Sequence, residues 1–165
     1  MIRKLDPIEN TDDLEKLNNA FLGFMSDPES LKYLSFSLKK FEEGAIEEIS
    51  RKNIASGLEY YVYEDYDNIE GILAVKNDPM AGFELFLLMT SREKHNKGIG
   101  QTLITKCFDV AAKEGFRCIT TYVFADNKKM LRLVIKNDFF PVNVFNHSRA
   151  DGVGLVQLRH YFKTK

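Results

Sequence analysis

Phe83-Glu84-Leu85-Phe86-Leu87-Leu88-Met89-Thr90 runs directly into Ser91-Arg92-Glu93-Lys94-His95-Asn96-Lys97-Gly98-Ile99-Gly100, and then into Gln101-Thr102-Leu103-Ile104. The first segment is an apolar run of strand length, nearly unbroken, which predicts a central strand covered on both faces. The second is polar and closes on two glycines. The third begins a helical pattern, with Ile99, Leu103, Ile104, Cys107, Phe108 and Ala111 on one side and Glu114-Gly115 as its stop.

Strand, polar loop, Gly98-x-Gly100 and helix together describe an anion cradle. The first turn of a helix leaves backbone N–H groups unpaired, and the macrodipole adds roughly half a positive charge there. A glycine carries no Cβ, so the backbone can approach a phosphate closely. Two common phosphate motifs fail on this stretch. A P-loop needs Gly-Lys-Ser/Thr, but Gly100 is followed by Gln101-Thr102; a dinucleotide fingerprint needs a third glycine where Leu103 stands.

Downstream, Cys118 to Phe124 predicts another buried strand, and Asn127 to about Asn137 a helix with Met130, Leu133 and Val134 inward. The tail predicts two strands, Val142 to Ser148 and Val153 to Phe162, joined by Ala150-Asp151-Gly152. Upstream, Ile69 to Val75 and Glu59 to Tyr63 read as strands joined at Asp65-Tyr66-Asp67-Asn68. Before them come three helical patterns. Thr11 is the expected cap of the first, which carries Leu14, Leu17, Phe21, Leu22 and Met25. Asp27-Pro28 opens the second, and Phe41, Ala45, Ile46 and Ile49 mark the third, ended by Gly57. Met1 to Leu5 is a short first strand.

The order implies one parallel crossover inside otherwise antiparallel pairing. The expectation is an α/β fold of the α+β type: a mixed, mostly antiparallel six- to seven-stranded sheet with helices on both faces, forming one domain over residues 1–165. With 165 residues and 44% apolar content, the chain can bury its own core. A formal net charge of −1, with Lys39-Lys40 and Lys128-Lys129 as isolated doublets, argues against a nucleic-acid partner. No leader and no apolar run of membrane-span length is legible, so no membrane association and a cytoplasmic location are expected. Cys107 and Cys118 each sit among apolar residues and read as small hydrophobes. No metal is expected.

His95-Asn96-Lys97-Gly98-Ile99-Gly100-Gln101-Thr102 resembles the coenzyme A loop of the GNAT superfamily of N-acetyltransferases, whose pattern is Gln/Arg-x-x-Gly-x-Gly/Ala between a central strand and a helix. A second segment strengthens the resemblance. Phe124-Ala125-Asp126-Asn127 and the helix ending at Asp138-Phe139 look like the family's strand, Asn and helix closing on Gly-Phe. The resemblance implies acetyl-CoA as co-substrate. It implies a pyrophosphate held by backbone N–H groups from about Lys97 to Thr102 (Lys97, Gly98, Ile99, Gly100, Gln101 and Thr102), with His95 and Asn96 as further cofactor-loop residues, and a pantetheine arm pairing with Leu88-Met89-Thr90. Asn127 inherits a bond to the pantetheine side. Three positions depart from the family pattern: His95 replaces Gln/Arg, Asp138 replaces Gly, and Val134 stands where many members carry a Tyr as general acid.

The family's reaction is acyl transfer to an amine, which requires a base, a polarised carbonyl and a departing thiolate. Glu84 is the one acidic residue in its apolar run and stands where some relatives place a catalytic carboxylate; the alternative is a solvated strand-end Glu. Tyr122 is the candidate acid, or else packing. His147 is a base or a surface His, and His160 is strand filler. Phe21, Phe24, Tyr33 and Phe36 line an acceptor pocket or fill core. The expected activity is acetyl transfer to a primary amine of a small molecule, peptide or protein, by a monomer or homodimer. Two alternatives are a catalytically inert coenzyme A-binding regulatory domain and an interaction module without ligand.

Overall fold

The computed structural model describes every residue except Phe41, His95, Asn96, Thr164 and Lys165; the side chains of Glu43 and Ile46 are also left undescribed. The strands are β1 (Ile2–Lys4), β2 (Leu58–Asp65), β3 (Asn68–Asp78), β4 (Gly82–Thr90), β5 (Cys118–Phe124), β6 (Phe140–Phe145) and β7 (Leu155–Tyr161). The helices are α1 (Thr11–Met25), α2 (Pro28–Leu34), α3 (Glu43–Ala55), α4 (Ile99–Lys113) and α5 (Lys128–Lys136), with a short 3-10 turn at Arg92–Lys94.

The seven strands form one sheet in the order β1-β2-β3-β4-β5-β7-β6. Every pair is antiparallel except β4 with β5, which is parallel. That is the mixed, mostly antiparallel sheet that the sequence predicts. Alternation along the strands divides the buried residues between two faces. On one face Leu73, Val75, Leu85, Ile119 and Leu158 meet Leu103, Ile104 and Cys107 of α4 and Val134 of α5. On the other, Tyr60, Val62, Ile72 and Ala74 meet Leu14, Leu17 and Phe21 of α1 and Ile54 of α3.

Local chemistry sets the helix ends. Asn10, rather than Thr11, caps α1: its Oδ1 accepts from the Asp12 and Asp13 N–H groups, while Thr11 is the first helical residue. Asp27 caps α2 with Pro28 in the first turn, as the sequence predicts. Asp138, in the place of the family's glycine, takes a left-handed φ of 61°, a conformation an Asp tolerates better than most residues. Two tail boundaries differ from expectation. β6 begins at Phe140 and ends at Phe145, so His147 lies in the connecting loop with φ 53°, outside any strand.

As expected, β4 is central and buried on both faces, with Leu85 in one core and Met89 in the other, but one of its edges opens. β4 and β5 pair over only three positions, Phe83 with Ile119, Glu84 with Thr120 and Leu85 with Thr121, and then part. Against β3 the register slips at the same level: Val75 faces Leu85 and Ala74 faces Leu87, so Phe86 is the extra residue of a bulge. Phe86 is 46% exposed. An apolar strand with an open second half is the physical signature of a cleft, which periodicity cannot distinguish from a buried strand.

Candidate active site

The parting of β4 and β5 opens a cleft of about 930 Å³, lined by β4, β5, the first turn of α4, one side of α5, and α2. Its apex is stitched by Thr121, whose Oγ1 donates to the Leu85 carbonyl at 2.9 Å. Beyond that point β4 keeps β3 on one side and has no strand on the other, so its backbone groups turned toward β5 are available to an extended ligand. Leu88, Met89 and Thr90, the expected pantetheine strand, all line the cleft.

At the wide end stands the start of α4. Gly98 occupies the cap position with φ 82°, a left-handed conformation in which other residues are strained, and a Cβ there would meet nothing within 4 Å. Having no side chain, Gly98 cannot cap the helix, and the first turn holds no acidic residue. The N–H of Lys97 donates to the Lys94 carbonyl, and the Thr102 N–H and hydroxyl both go to the Gly98 carbonyl. That leaves Gly98, Ile99, Gly100 and Gln101, whose N–H groups have no acceptor among the described residues. These four lie within the expected span from Lys97 to Thr102. His95 and Asn96 lie outside the described residues.

Gly100 also has a packing reason. A Cβ at this position would lie 3.1 Å from Leu133 Cδ2 and 3.8 Å from Leu88 Cδ2. It would point at α5 and β4, so this glycine lets α4 pack close to its neighbours. The Gln101 side chain is also engaged: it donates from Nε2 to Asn137 Oδ1 at 2.7 Å and accepts from Asn137 Nδ2 at 3.1 Å, tying α4 to the end of α5. Asn127 caps α5 by accepting from the Met130 N–H at 3.1 Å, and it lines the cleft.

Sequence reasoning missed a row of cations. Lys129, Arg132 and Lys136 follow one another at helical spacing on α5 and all line the cleft beside the α4 terminus. Lys129 is half of the isolated Lys128-Lys129 doublet. The signal was the i, i+3, i+7 spacing of three cations beside the apolar stripe Met130, Leu133 and Val134. Phosphate groups fit this donor set: an uncapped helix terminus, four N–H groups without acceptors among the described residues, and three exposed cations.

The two expected catalytic side chains share one face of the cleft. Glu84 projects from β4 near the apex, and burial raises its carboxyl above the ordinary range, with Lys76 opposing in part. Tyr122 projects from β5 on the same face; its hydroxyl accepts from Gln157 Nε2 at 3.2 Å, which leaves its own proton free to be donated. Val134 is fully buried in the core beneath α5, far from any role as an acid. His160 stacks on Phe108 with ring centres 4.5 Å apart and is core, as expected.

The substrate-side aromatic set divides. Phe21 packs edge-on against Tyr60 in the core and Phe24 packs against the same cluster. Tyr33 and Phe36 line the cleft, with Phe36 5.0 Å from the Phe124 ring. Arg149 holds this wall in place. It is 3% exposed and donates to both carboxylate oxygens of Asp126, to Asp151 and to the Lys32 carbonyl, while lying 5.0 Å over Phe124. The α2 wall, the β5–α5 turn and the tail loop are therefore joined at one guanidinium. Among the described residues, no group of three His, Cys, Asp or Glu side chains is arranged to hold a metal, and no helix is long and apolar enough to cross a membrane.

No curated protein sequence matches the chain significantly. Solved structures do match its fold. An N-acetyltransferase from Staphylococcus aureus Mu50 superposes with a TM-score of 0.76 at 15% identity, covering 99% of this chain and 98% of that one. The ribosomal-protein-S18-alanine N-acetyltransferase from Escherichia coli gives 0.75 at 13% identity, covering 100% and 95%. A GNAT family acetyltransferase from Elizabethkingia anophelis with acetyl-CoA bound gives 0.63 at 16%, covering 70% and 82%. At these identities the likeness is one of fold. The family model for the acetyltransferase (GNAT) family matches residues 21–139, well over half of the sequence, and the chain belongs to that family.

Proposed function

We propose that residues 1–165 form a single N-acetyltransferase domain that moves an acetyl group from acetyl-CoA to a primary amine by direct attack. The observation that carries this reading is the continuity of the cleft. It runs from the uncapped α4 terminus and the α5 cations, past the unpaired edge of β4, to Glu84 and Tyr122 at its apex. The E. anophelis neighbour, which holds acetyl-CoA, supports the same ligand here.

Acetyl-CoA supplies the activated acetyl thioester; the amide C–N bond forms as the C–S bond breaks. The chain's own residues do the rest. The N–H groups of Gly98 to Gln101 and the Lys129–Arg132–Lys136 row hold the phosphates. The edge of β4 at Leu88 to Thr90 aligns the arm. Glu84 takes the proton that the neutral attacking amine loses as the C–N bond forms, and burial raises its carboxyl above the ordinary range. Tyr122 gives its proton to the departing sulfur. Loss of one proton to Glu84 and gain of one from Tyr122 leaves amide and thiol neutral.

The test is thiol release from acetyl-CoA across a panel of primary amines, with Glu84→Gln and Tyr122→Phe as controls. Amine-dependent release that falls in both variants supports the reading. One observation favours the inert coenzyme A-binding alternative: buried Val134 replaces the family's acid. Acetyl-CoA binding with no amine-dependent release would favour that alternative.

A further inference from the structure

Over β5, β7 and β6 the sheet face that carries Glu84 is open. Tyr122, Phe140, Phe145 and Tyr161 are exposed there. One row crosses this face in register: Glu84 pairs with Thr120, Thr120 with Arg159, and Arg159 with Phe140. Paired residues point to the same side, so Glu84 and Arg159 stand two strand spacings apart, roughly 10 Å. The residue between them in the row is Thr120, whose side chain is short.

Arg159 is chemically isolated. The strands Cys118–Phe124, Phe140–Phe145 and Leu155–Tyr161 contain no Asp or Glu, and Arg159 is their one permanent charge. The arginines Arg3, Arg51, Arg92 and Arg149 each bind a carboxylate. Arg159 has instead one long bond, from Nη1 to the Tyr161 hydroxyl at 3.4 Å, and its Nε is enclosed with no acceptor. A guanidinium offers five N–H donors in a fork that matches a carboxylate. Phe140 and Tyr161, stacked at 5.6 Å, wall the position with apolar surface, which strengthens a charge-assisted bond made there.

We propose that Arg159 is the carboxylate subsite of the acceptor, and that the protein acetylates small aminocarboxylates whose amine reaches Glu84 while the carboxylate reaches Arg159 across Thr120. This rests on the acetyl-transfer reading and specifies its acceptor class. The geometry favours acceptors whose two groups are several bonds apart, since a shorter molecule cannot span the row.

The experiment compares glycine, β-alanine, 4-aminobutyrate and 6-aminohexanoate with their uncharged carboxamides, read by thiol release from acetyl-CoA. Calorimetry of the same acids on the coenzyme A-loaded protein runs beside it. The expected result is kcat/KM at least about tenfold higher for the longer acids than for their amides. Arg159→Met should lower the acids to the level of the amides through KM, and Arg159→Lys should lie between; melting temperatures confirm that the variants fold. Equal rates for acids and amides in the wild type, or a preference untouched in Arg159→Met, would overturn the subsite while leaving acetyl transfer intact. Binding of 4-aminobutyrate that is lost in Arg159→Met, without any transfer, would support the subsite and remove the transfer reading. Neither binding nor transfer of any acid would overturn the proposal.

Discussion

Thr121 Oγ1 donates to the Leu85 carbonyl at the last position where β4 and β5 pair, so one buried hydrogen bond marks where the sheet closes and the cleft begins. Thr121→Val keeps the shape and removes the donor, leaving a buried carbonyl short of a partner. The expected cost is about 1–3 kcal/mol, or roughly 2–10 °C in melting temperature for a chain of this size. An unchanged melting temperature would show that water or backbone replaces the bond and that the apex needs no stitch.

Glu84 links stability to activity with opposite signs. Burial raises its carboxyl in the folded state. Its favourable contribution is therefore fully present below the ordinary carboxylate range and lost as pH rises through the raised value. Glu84→Gln should melt higher than the wild type at neutral pH. If Glu84 is the base, the same variant should lose about two to four orders of magnitude in turnover, together with the acid limb of the pH profile. That limb should lie above the position set by an ordinary Glu. A Glu84→Gln enzyme with wild-type turnover and an unchanged acid limb would return the residue to the role of a solvated strand-end carboxylate.

The α5 cations should act on the cofactor alone. Arg132→Glu and Lys129→Glu reverse charge on exposed side chains that line the cleft. Each should weaken acetyl-CoA binding about tenfold or more, with the loss shrinking as salt screens the phosphates. Melting temperature should hardly move, since surface charges contribute little to folding. Affinity independent of both substitutions would place the phosphates elsewhere.

The two thiols should separate cleanly in chemical labelling. Cys107 is buried on the inner face of α4 and its thiol is pushed up to about 12, whereas Cys118 is partly exposed. At pH 8 the native protein should react with a thiol reagent at Cys118 and stay inert at Cys107 until it unfolds. Equal labelling of both in the native state would contradict the packing of α4 on the sheet.

The fold was legible where pattern and chemistry agree. The apolar stripe Ile99, Leu103, Ile104 and Cys107 fixed α4, and Asp27-Pro28 fixed the start of α2, because caps and periodicity are local facts. The cleft was harder to read. Phe86 looks like any apolar strand residue; only the bulge at its register position and the departure of β5 turn it toward solvent. Gly100 fits a phosphate motif, yet its missing Cβ makes room for Leu133, a contact 33 positions away that no local pattern carries. The cations of α5 were visible as spacing but not as a face, since which side of a short helix meets the cleft depends on its tertiary docking.

Calorimetry of acetyl-CoA on the wild type and on Gly98→Asp tests the cofactor cradle most directly. A Cβ at Gly98 meets nothing within 4 Å, so the new side chain has room. Its left-handed backbone costs roughly 1–2 kcal/mol, which a folded protein can absorb and a melting curve will register. Its carboxylate would stand where the phosphates are held. One-to-one binding by the wild type, with at least tenfold weaker binding by folded Gly98→Asp, about 1.4 kcal/mol or more, is the outcome expected of a pyrophosphate seated on the α4 terminus. No binding by the wild type, or equal affinity in the two proteins, would contradict it.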